Sequence, residues 1–534
     1  MSKETGNKLI KGAAILGMAG IVIKFLGAFF RLPLTNWIGD TGMAYYGVAY
    51  NVYSVFLVLS TAGIPVAISK MVSERIAVKN YGGAHKVFKV SFFLLFALGI
   101  ISFAICFFGA EYIAGLFKIE EAAMSLKAIA PALFFVPLFS AFRGYFQGRQ
   151  NMNPTAVSEI CEQLVRVGVG LSLSYAVYKT SLVKAAAGAT FGASAGSIAG
   201  LAIIFVIYML NRRVIHTKIE KNATVYESTK SILWKILAIA VPIVLGAEIW
   251  PIMNNIDTAI IVNRMTATGW SLEEAKSLYG ILTGFCNSLI AFPQVFTQAV
   301  AISLVPAISA AFAQKDQPNV EKNVQLGMRT TMIMGFPCAF GIFALAEPIL
   351  LLLYPQQAAS AMTATPTLMI MSISVVFLAV AQTQTGILQG IGKQIIPVKN
   401  LLIGVLVKVA VTWILVGIPQ LNINGAVIGT MVAYVIALLL NQQAVKRYTG
   451  AEFNFVVTYV KPCIAAAIMG VTAFGAHKLL MMVTRNSIAT LGAIMVGVVV
   501  YVVMIFAVKA ITKEELKSMP KGEKIVRLLD KFIK

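Results

Sequence analysis

Two cations sit in the first apolar stretch, IVIKFLGAFFRLPL, at Lys24 and Arg31. A spacing of seven in a helix of 3.6 residues per turn puts both on one face, roughly 10 Å apart along the axis. A cation costs at least ~2.5–3.5 kcal/mol at the bilayer centre, so it faces a polar interior or works there. An ammonium is a mobile point charge and a guanidinium is a planar fork, and both suit phosphate oxygens. The pair therefore points to an anionic passenger. Interfacial snorkelling is the alternative; it suits Arg31, near one end of the span, and suits Lys24 poorly.

Four further groups of residues could do chemistry. Arg166 follows Glu162 by four residues, with Glu159 one turn earlier. That spacing makes either a buried structural bridge or a cavity wall. Arg143 and Arg149 flank a glycine-rich helix end and read as an inner gate, a phosphate entry or plain orientation charges. The stretch GAEIWPIMNNIDTAIIVNR carries Glu248 and Asp257, with Pro251 between them to loosen the helix by removing a hydrogen bond. Lys408 lies in a later apolar stretch, eleven residues after Pro397. Gly63 and Pro65, with Pro293 and Pro306 in a similar later span, serve as hinges or as fixed kinks.

The elements that hold these residues are membrane helices. Of 534 residues 58% are hydrophobic and 12% charged, with mean hydropathy +0.81, which excludes an ordinary soluble domain. Apolar runs of about 20 residues recur throughout. They predict an all-α polytopic protein of fourteen spans. The first six are 10–32, 45–69, 88–110, 127–149, 155–178 and 185–211; the next six are 231–262, 278–305, 328–353, 365–389, 397–417 and 423–445; the last two are 455–480 and 487–510. The N-terminal segment shows no cleavage site and reads as a retained helix. With the N-terminus inside, inner segments carry 32 Lys or Arg and outer segments 9, leaving Lys24, Arg166 and Lys408 within spans. This bias predicts a multi-pass cell-membrane protein with both termini cytoplasmic. The net charge of +22 is then largely an orientation signal, and no nucleic-acid partner is expected. Residues 511–534 read as a basic amphipathic tail on the inner leaflet or as a solvated one. Five isolated cysteines and three scattered histidines give no disulfide framework and no metal site. No GxxxxGK[ST] loop is present, so no cofactor is expected, and membrane potential or an ion gradient is the natural driver.

Two motifs repeat. RGYFQGRQNMNPTA (143–156) and TGILQGIGKQIIPVK (385–399) share G-x-x-Q-G followed by a proline, at Gly144, Gln147, Gly148, Pro154 and Gly386, Gln389, Gly390, Pro397. Tyr46-Gly47 and Ala67-Ile68-Ser69 likewise match Tyr279-Gly280 and Ala301-Ile302-Ser303. The offsets, about 242 and 233 residues, predict an N-lobe over 1–220, a C-lobe over 221–450 in pseudo-twofold arrangement, and two appended helices over 451–510.

With AGIPVAISKMVSERIA (62–77) and FRGYFQGRQNMNPTAVSEICEQLVRV (142–167), the chain resembles the multidrug/oligosaccharidyl-lipid/polysaccharide (MOP) exporter superfamily. Within it the likeness is to the polysaccharide biosynthesis and stage V sporulation protein B group of Gram-positive bacteria, which includes the MurJ-type lipid II flippases. The resemblance implies a two-lobed bundle with a cationic central cavity. It also implies alternating access for undecaprenyl-pyrophosphate glycans, and a lipid-tail groove at the two extra helices. Lys24 and Arg31 match the essential first-helix arginines of Gram-negative members, with spacing different by about one residue. The basic residue of their second helix falls near Leu57, and the eighth span here has no Lys or Arg. The resemblance therefore implies an anion site completed by Arg264 or Arg166. Related exporters can carry a sodium site on the seventh and eleventh helices; here Lys408 occupies that neighbourhood and is expected to pair with Asp257.

These readings predict a transporter and not an enzyme. The expected cargo is lipid II for peptidoglycan synthesis, the expected partners are that lipid-linked glycan and membrane lipids, and the expected state is monomeric. The alternatives are a flippase for another polysaccharide lipid intermediate, a multidrug/cation antiporter, which would want a cavity carboxylate, and an integral membrane enzyme. The short outer loops disfavour the last.

Overall fold

The computed structural model describes residues 3–220, 222 and 227–510. The tail expected over 511–534 lies outside these residues. The described residues form helices without strands. In chain order these are α1 (Lys3–Thr61), α2 (Ile64–Ala77), α3 (Tyr81–Phe108), α4 (Ala110–Leu116), α5 (Ala122–Gly148), α6 (Asn153–Val177), α7 (Leu182–Glu220), α8 (Thr229–Ala267) and α9 (Leu272–Gly280). A π-helical turn (Ile281–Cys286) leads into α10 (Asn287–Ala313), α11 (Gln317–Ala344), α12 (Ala346–Leu353), α13 (Ala358–Gly390), α14 (Ile395–Val416) and α15 (Asn424–Thr449). A second π-helical turn (Val456–Val460) precedes α16 (Lys461–Met481) and α17 (Asn486–Ala507).

Among the described residues, thirteen stretches are long and apolar enough to cross a membrane. The first, Ile15–Ala77, has 63 residues and accounts for two of the expected fourteen crossings. Gly39 divides it, with φ 63 and ψ −164, a backbone region open essentially to glycine. The chain folds back there: Phe30 and Tyr46, which a straight helix would separate by roughly 24 Å, have ring centroids 6.1 Å apart. The second limb breaks again at Ala62–Gly63, and Pro65, which has no N–H to donate, opens α2.

The chain forms two compact units, residues 1–284 and 285–534. The sequence repeat starts its second copy near 221, whereas the first compact unit runs on through α8 and α9. In the first unit Ile68, Val72, Val87, Phe139, Tyr145 and Ile236 lie at the centre of a buried apolar cluster. In the second, Ile308, Val324, Met328, Met332 and Ile387 do the same.

The repeated G-x-x-Q-G motif does the same packing job in each unit. A Cβ on Gly144 would lie 2.9 Å from Pro65 O, and one on Gly148 would lie 2.8 Å from Ser69 O, so α5 meets α2 backbone to backbone. A Cβ on Gly386 would lie 2.5 Å from Ala301 O and one on Gly390 would lie 3.1 Å from Val305 O, so α13 meets α10 in the same way. Helices in lipid associate through such small residues. The glycines of one repeated motif thus close on the helix that carries the other repeated motif.

Candidate functional site

The site in the first unit is built on the second limb of α1. Tyr46, Tyr50 and Tyr53 recur at spacings of four and three and therefore share one face. Tyr46 and Tyr50 stack with centroids 5.7 Å apart and planes 13° apart, and Tyr53 lies 5.7 Å from Tyr50. Arg166 of α6 places its guanidinium 5.2 Å from the centre of the Tyr50 ring. Its charge also acts on Tyr46 and Tyr50. Arg31, on the first limb, acts by charge on the same two tyrosines. One guanidinium thus lies over the tyrosine ladder, and a second acts on it by charge.

Neighbouring helices fix this geometry. The glycines at 188, 192, 196 and 200 form a stripe along α7. A Cβ on Gly192 would lie 2.5 Å from Arg166 O, and one on Gly196 would lie 2.6 Å from Glu162 O. The α6 backbone therefore rests on α7 at the two residues whose side chains carry charge. Phe30 of α1 packs against Gly170 of α6, where a Cβ would come within 2.9 Å of its ring.

Arg143 of α5 pairs with Glu159 of α6 and lies 5.2 Å from the centre of the Phe139 ring. Glu162 is felt by both Arg143 and Arg166. The structure thus links Arg143 to Glu159 and lays Arg166 on Tyr50, which makes Arg166 more than one end of an i, i+4 bridge. Arg166 and Glu162 are both half-buried. With Arg31, Arg143 and Arg166 charged against Glu159 and Glu162, three cations less two anions leave one net positive charge. The arrangement can hold an oxyanion between guanidinium forks and phenolic hydroxyl donors.

The other residues expected to act lie at several places. Lys24 is exposed on α1 and Arg31 is half-buried. Arg264 is half-buried in the last turn of α8, where its carbonyl accepts from Thr268 N at 3.1 Å. Glu248 is buried on the same helix, and Pro251 is buried within it. Gly63 is a point of close approach, since a Cβ there would lie 2.4 Å from Ala240 O of α8. Lys408 is 1% exposed on α14, in the second unit, whereas Asp257 is half-buried in the first.

Asp257 borders a polar network that the sequence reading did not contain. Asn51 Nδ2 donates to Thr258 Oγ1 at 3.1 Å and to Tyr279 OH at 3.0 Å. Thr258 Oγ1 and Tyr279 OH lie 2.9 Å apart, and Asn255 Nδ2 donates to Asn51 O at 2.8 Å. Asp257 acts on Tyr279 by charge. Alternating aromatic and small residues in YYGVAYNVY (45–53) were the available signal for the tyrosine ladder. For Asn51 the only signal was an amide inside an apolar run.

The second unit holds an apolar cavity of about 1150 Å³. Its walls come from α11, α13, α15 and α16, with Phe336, Phe340, Phe377, Leu438 and Ile464 among them. Gln384 donates to Gln442 within it at 2.8 Å, and the Lys446–Glu452 pair, 3.2 Å apart, sits in its lining. Of the two appended helices, α16 lines it and α17 does not.

The many apolar helices make this a multi-pass membrane protein, and the families it matches are those of transporters. The chain belongs to the polysaccharide biosynthesis protein family, whose model matches residues 9–312, and with it to the MOP superfamily. The MatE family model matches residues 282–414. The chain is 27% identical over 479 residues to the lipid II flippase MurJ of Bacillus subtilis (strain 168), covering 87% of this chain and 88% of that protein. It is 26% identical over 529 residues to stage V sporulation protein B of the same organism, covering 97% and 98%. Among solved structures its fold is similar to an inward-facing multidrug resistance MATE family transporter of the MOP superfamily, with TM-score 0.67, 15% identity and coverage of 81% and 98%. It is also similar to the inward closed conformation of lipid II flippase MurJ, with TM-score 0.65, 17% identity and coverage of 91% and 97%.

Proposed function

We propose that this protein flips an undecaprenyl-pyrophosphate-linked glycan, specifically lipid II, from the inner to the outer leaflet of the cell membrane by alternating access, with both termini cytoplasmic. The observation that carries this reading is the Arg166 guanidinium lying over Tyr50, with Arg31 acting on the same tyrosine ladder by charge. A pyrophosphate presents the oxygens that guanidinium forks and phenols bind, and the exposed Lys24 adds a third cation from the same helix as Arg31. The apolar cavity of the second unit takes part of the polyprenyl tail. Lys408 supplies a fixed ammonium where related exporters bind a coupling ion, and Lys408→Ala lowers transport. Similarity to both a lipid II flippase and stage V sporulation protein B supports a lipid-linked glycan as the class of cargo. A cation antiporter is disfavoured by a site whose charge is net positive.

The test is native mass spectrometry of the purified protein with lipid II, beside a Lys24→Ala/Arg31→Ala double variant. Undecaprenyl phosphate and a neutral lipid set the baseline. Selective retention of lipid II that the double variant loses supports the proposal. Equal retention of all three lipids refutes it.

A further inference from the structure

Three helices of the first unit carry one pattern where α3 begins and α5 and α7 end. His85 and Lys89 stand four apart on α3, Tyr145 and Arg149 stand four apart at the end of α5, and Tyr208, Arg212 and His216 follow one another by four on α7. Residues four apart share a helix face, so each helix brings a ring and a cation to one side. Helix α5 packs against both α3 and α7, and the rings meet. The His85 ring centre lies 6.0 Å from that of His216 and 6.1 Å from that of Tyr145, and Tyr145 lies 6.4 Å from Tyr208. Arg149 sits 5.4 Å from the centre of the Tyr145 ring and donates from Nη1 to its hydroxyl at 3.2 Å.

The charge of this cluster is of one sign. Lys89, Arg149 and Arg212 all act by charge on His85, and Arg149 and Arg212 act on Tyr208. The nearby carboxylates are engaged elsewhere: Glu74 with Lys70, Glu227 with Arg75 and Lys235, and Glu159 with Arg143. Glu220, the last residue of α7, is exposed and lies eight residues beyond Arg212, roughly 12 Å along the axis. His85 is 8% exposed, and among the described residues its Nδ1 has no hydrogen-bond partner. A buried polar atom without a partner is costly. Cations that served only to orient the chain would need no buried histidine and no tyrosines beneath them. An oxyanion held among them meets both needs, since it balances the cations and accepts from the ring nitrogen.

The surroundings say what carries that oxyanion. Lys89 also borders a cavity of about 500 Å³, lined by Lys86, Val90, Phe93, Leu94 and Leu233. Lys86 is already committed, donating to Glu227 O at 2.6 Å, whereas Lys89 is exposed. Phe93, one turn beyond Lys89, is 68% exposed. Cations at one end and apolar walls along the rest match a phosphate joined to a hydrocarbon chain.

We propose that this cluster binds the phosphodiester head group of an anionic membrane phospholipid, with Lys89, Arg149 and Arg212 on its oxygens and an acyl chain along Val90, Phe93 and Leu94. Basic pockets between membrane helices on the cytoplasmic side take such head groups. The orientation proposed above puts the cluster on that side, and the inference rests on that orientation but not on the cargo. The site is separate from the tyrosine ladder, which stands on α1 and α6.

The test is native mass spectrometry of the full-length protein with phosphatidylglycerol, and with phosphatidylcholine of the same chains as the zwitterionic reference. Lys89 and Arg212 are both exposed, so Lys89→Gln/Arg212→Gln leaves the core intact. Lys315→Gln/Lys322→Gln, exposed cations of the second unit, removes the same charge elsewhere. Wild type retains phosphatidylglycerol over phosphatidylcholine, the first variant loses at least about tenfold in affinity for it, and the second keeps it. Equal retention of the two lipids by wild type, or an equal loss in both variants, overturns the proposal. Displacement of phosphatidylglycerol by inorganic phosphate in excess overturns the lipid as the source of the oxyanion. Lys89→Gln/Arg212→Gln binds lipid II as wild type does; loss of both lipids in that variant makes the cluster part of the cargo path and overturns a separate site. Wild type that selects phosphatidylglycerol but not lipid II refutes the cargo and leaves this site standing.

Discussion

Replacing Arg166 separates a binding residue from a structural one. In Arg166→Gln the guanidinium lying 5.2 Å from the Tyr50 ring centre is lost, along with its charge beside Tyr46 and Tyr50. A charge-assisted hydrogen bond to a phosphate is worth about 1.5–3 kcal/mol, so affinity for a pyrophosphate lipid falls roughly 10- to 150-fold. The cation–π contact, worth about 0.5–2 kcal/mol, is present with or without cargo and shows up as lost thermal stability. Arg166→Lys keeps the charge but not the fork and recovers part of the affinity. The assay is a titration of lipid II against purified protein, with the melting temperature followed in parallel. A variant that melts earlier but binds lipid II with unchanged affinity makes Arg166 a structural residue and refutes the assignment of the ladder as the anion site.

Three further outcomes follow from the same geometry. Gly386→Ala forces a Cβ to within 2.5 Å of the Ala301 carbonyl oxygen, and Gly144→Ala one to within 2.9 Å of Pro65 O, so the first lowers the melting temperature more; overpacking of this kind costs about 1–3 kcal/mol. Glu227 lies outside the spans, and its hydrogen bond to Lys235, with Arg75 beside it, holds its carboxyl below the usual range. Its contribution to stability is therefore complete above the ordinary glutamate value and disappears as pH falls through the lowered one, so Glu227→Gln melts earlier at neutral pH and loses less on acidification. Lys276, 3% exposed, bonds Glu121 at 2.8 and 3.0 Å, and Lys276→Met lowers thermal stability by about 1–3 kcal/mol with little effect on lipid binding.

The membrane helices were legible because their signal is local: each apolar run carries its own length and flanking charges. Even the crossing hidden inside α1 was readable, since residues 10–32 and 45–69 are separated by polar residues around Gly39. Lys276 shows where local reading stops. By sequence it is one more loop cation, yet its partner Glu121 lies 155 residues away, and the lysine is buried against it. The tyrosine ladder has the same cause. Its spacing is visible in YYGVAYNVY, but an aromatic face at helical spacing is ordinary core until Arg166, 116 residues further on from Tyr50, is brought over it. Asn51, whose partners are 207 and 228 residues distant, had no local signal beyond its polarity.

Glycine occupies a middle ground between these cases. Gly144 and Gly148, or Gly192 and Gly196, stand four apart and so share a helix face, which tells that a second backbone must come close there. The spacing does not say whose backbone. For the G-x-x-Q-G copies the structure supplied the answer. The second motif, Ala67-Ile68-Ser69 and Ala301-Ile302-Ser303, recurs at a nearly equal offset, and it is the surface on which each glycine pair lands. The α7 stripe has no repeated partner, so its grip on Arg166 and Glu162 became visible only when α6 was in place.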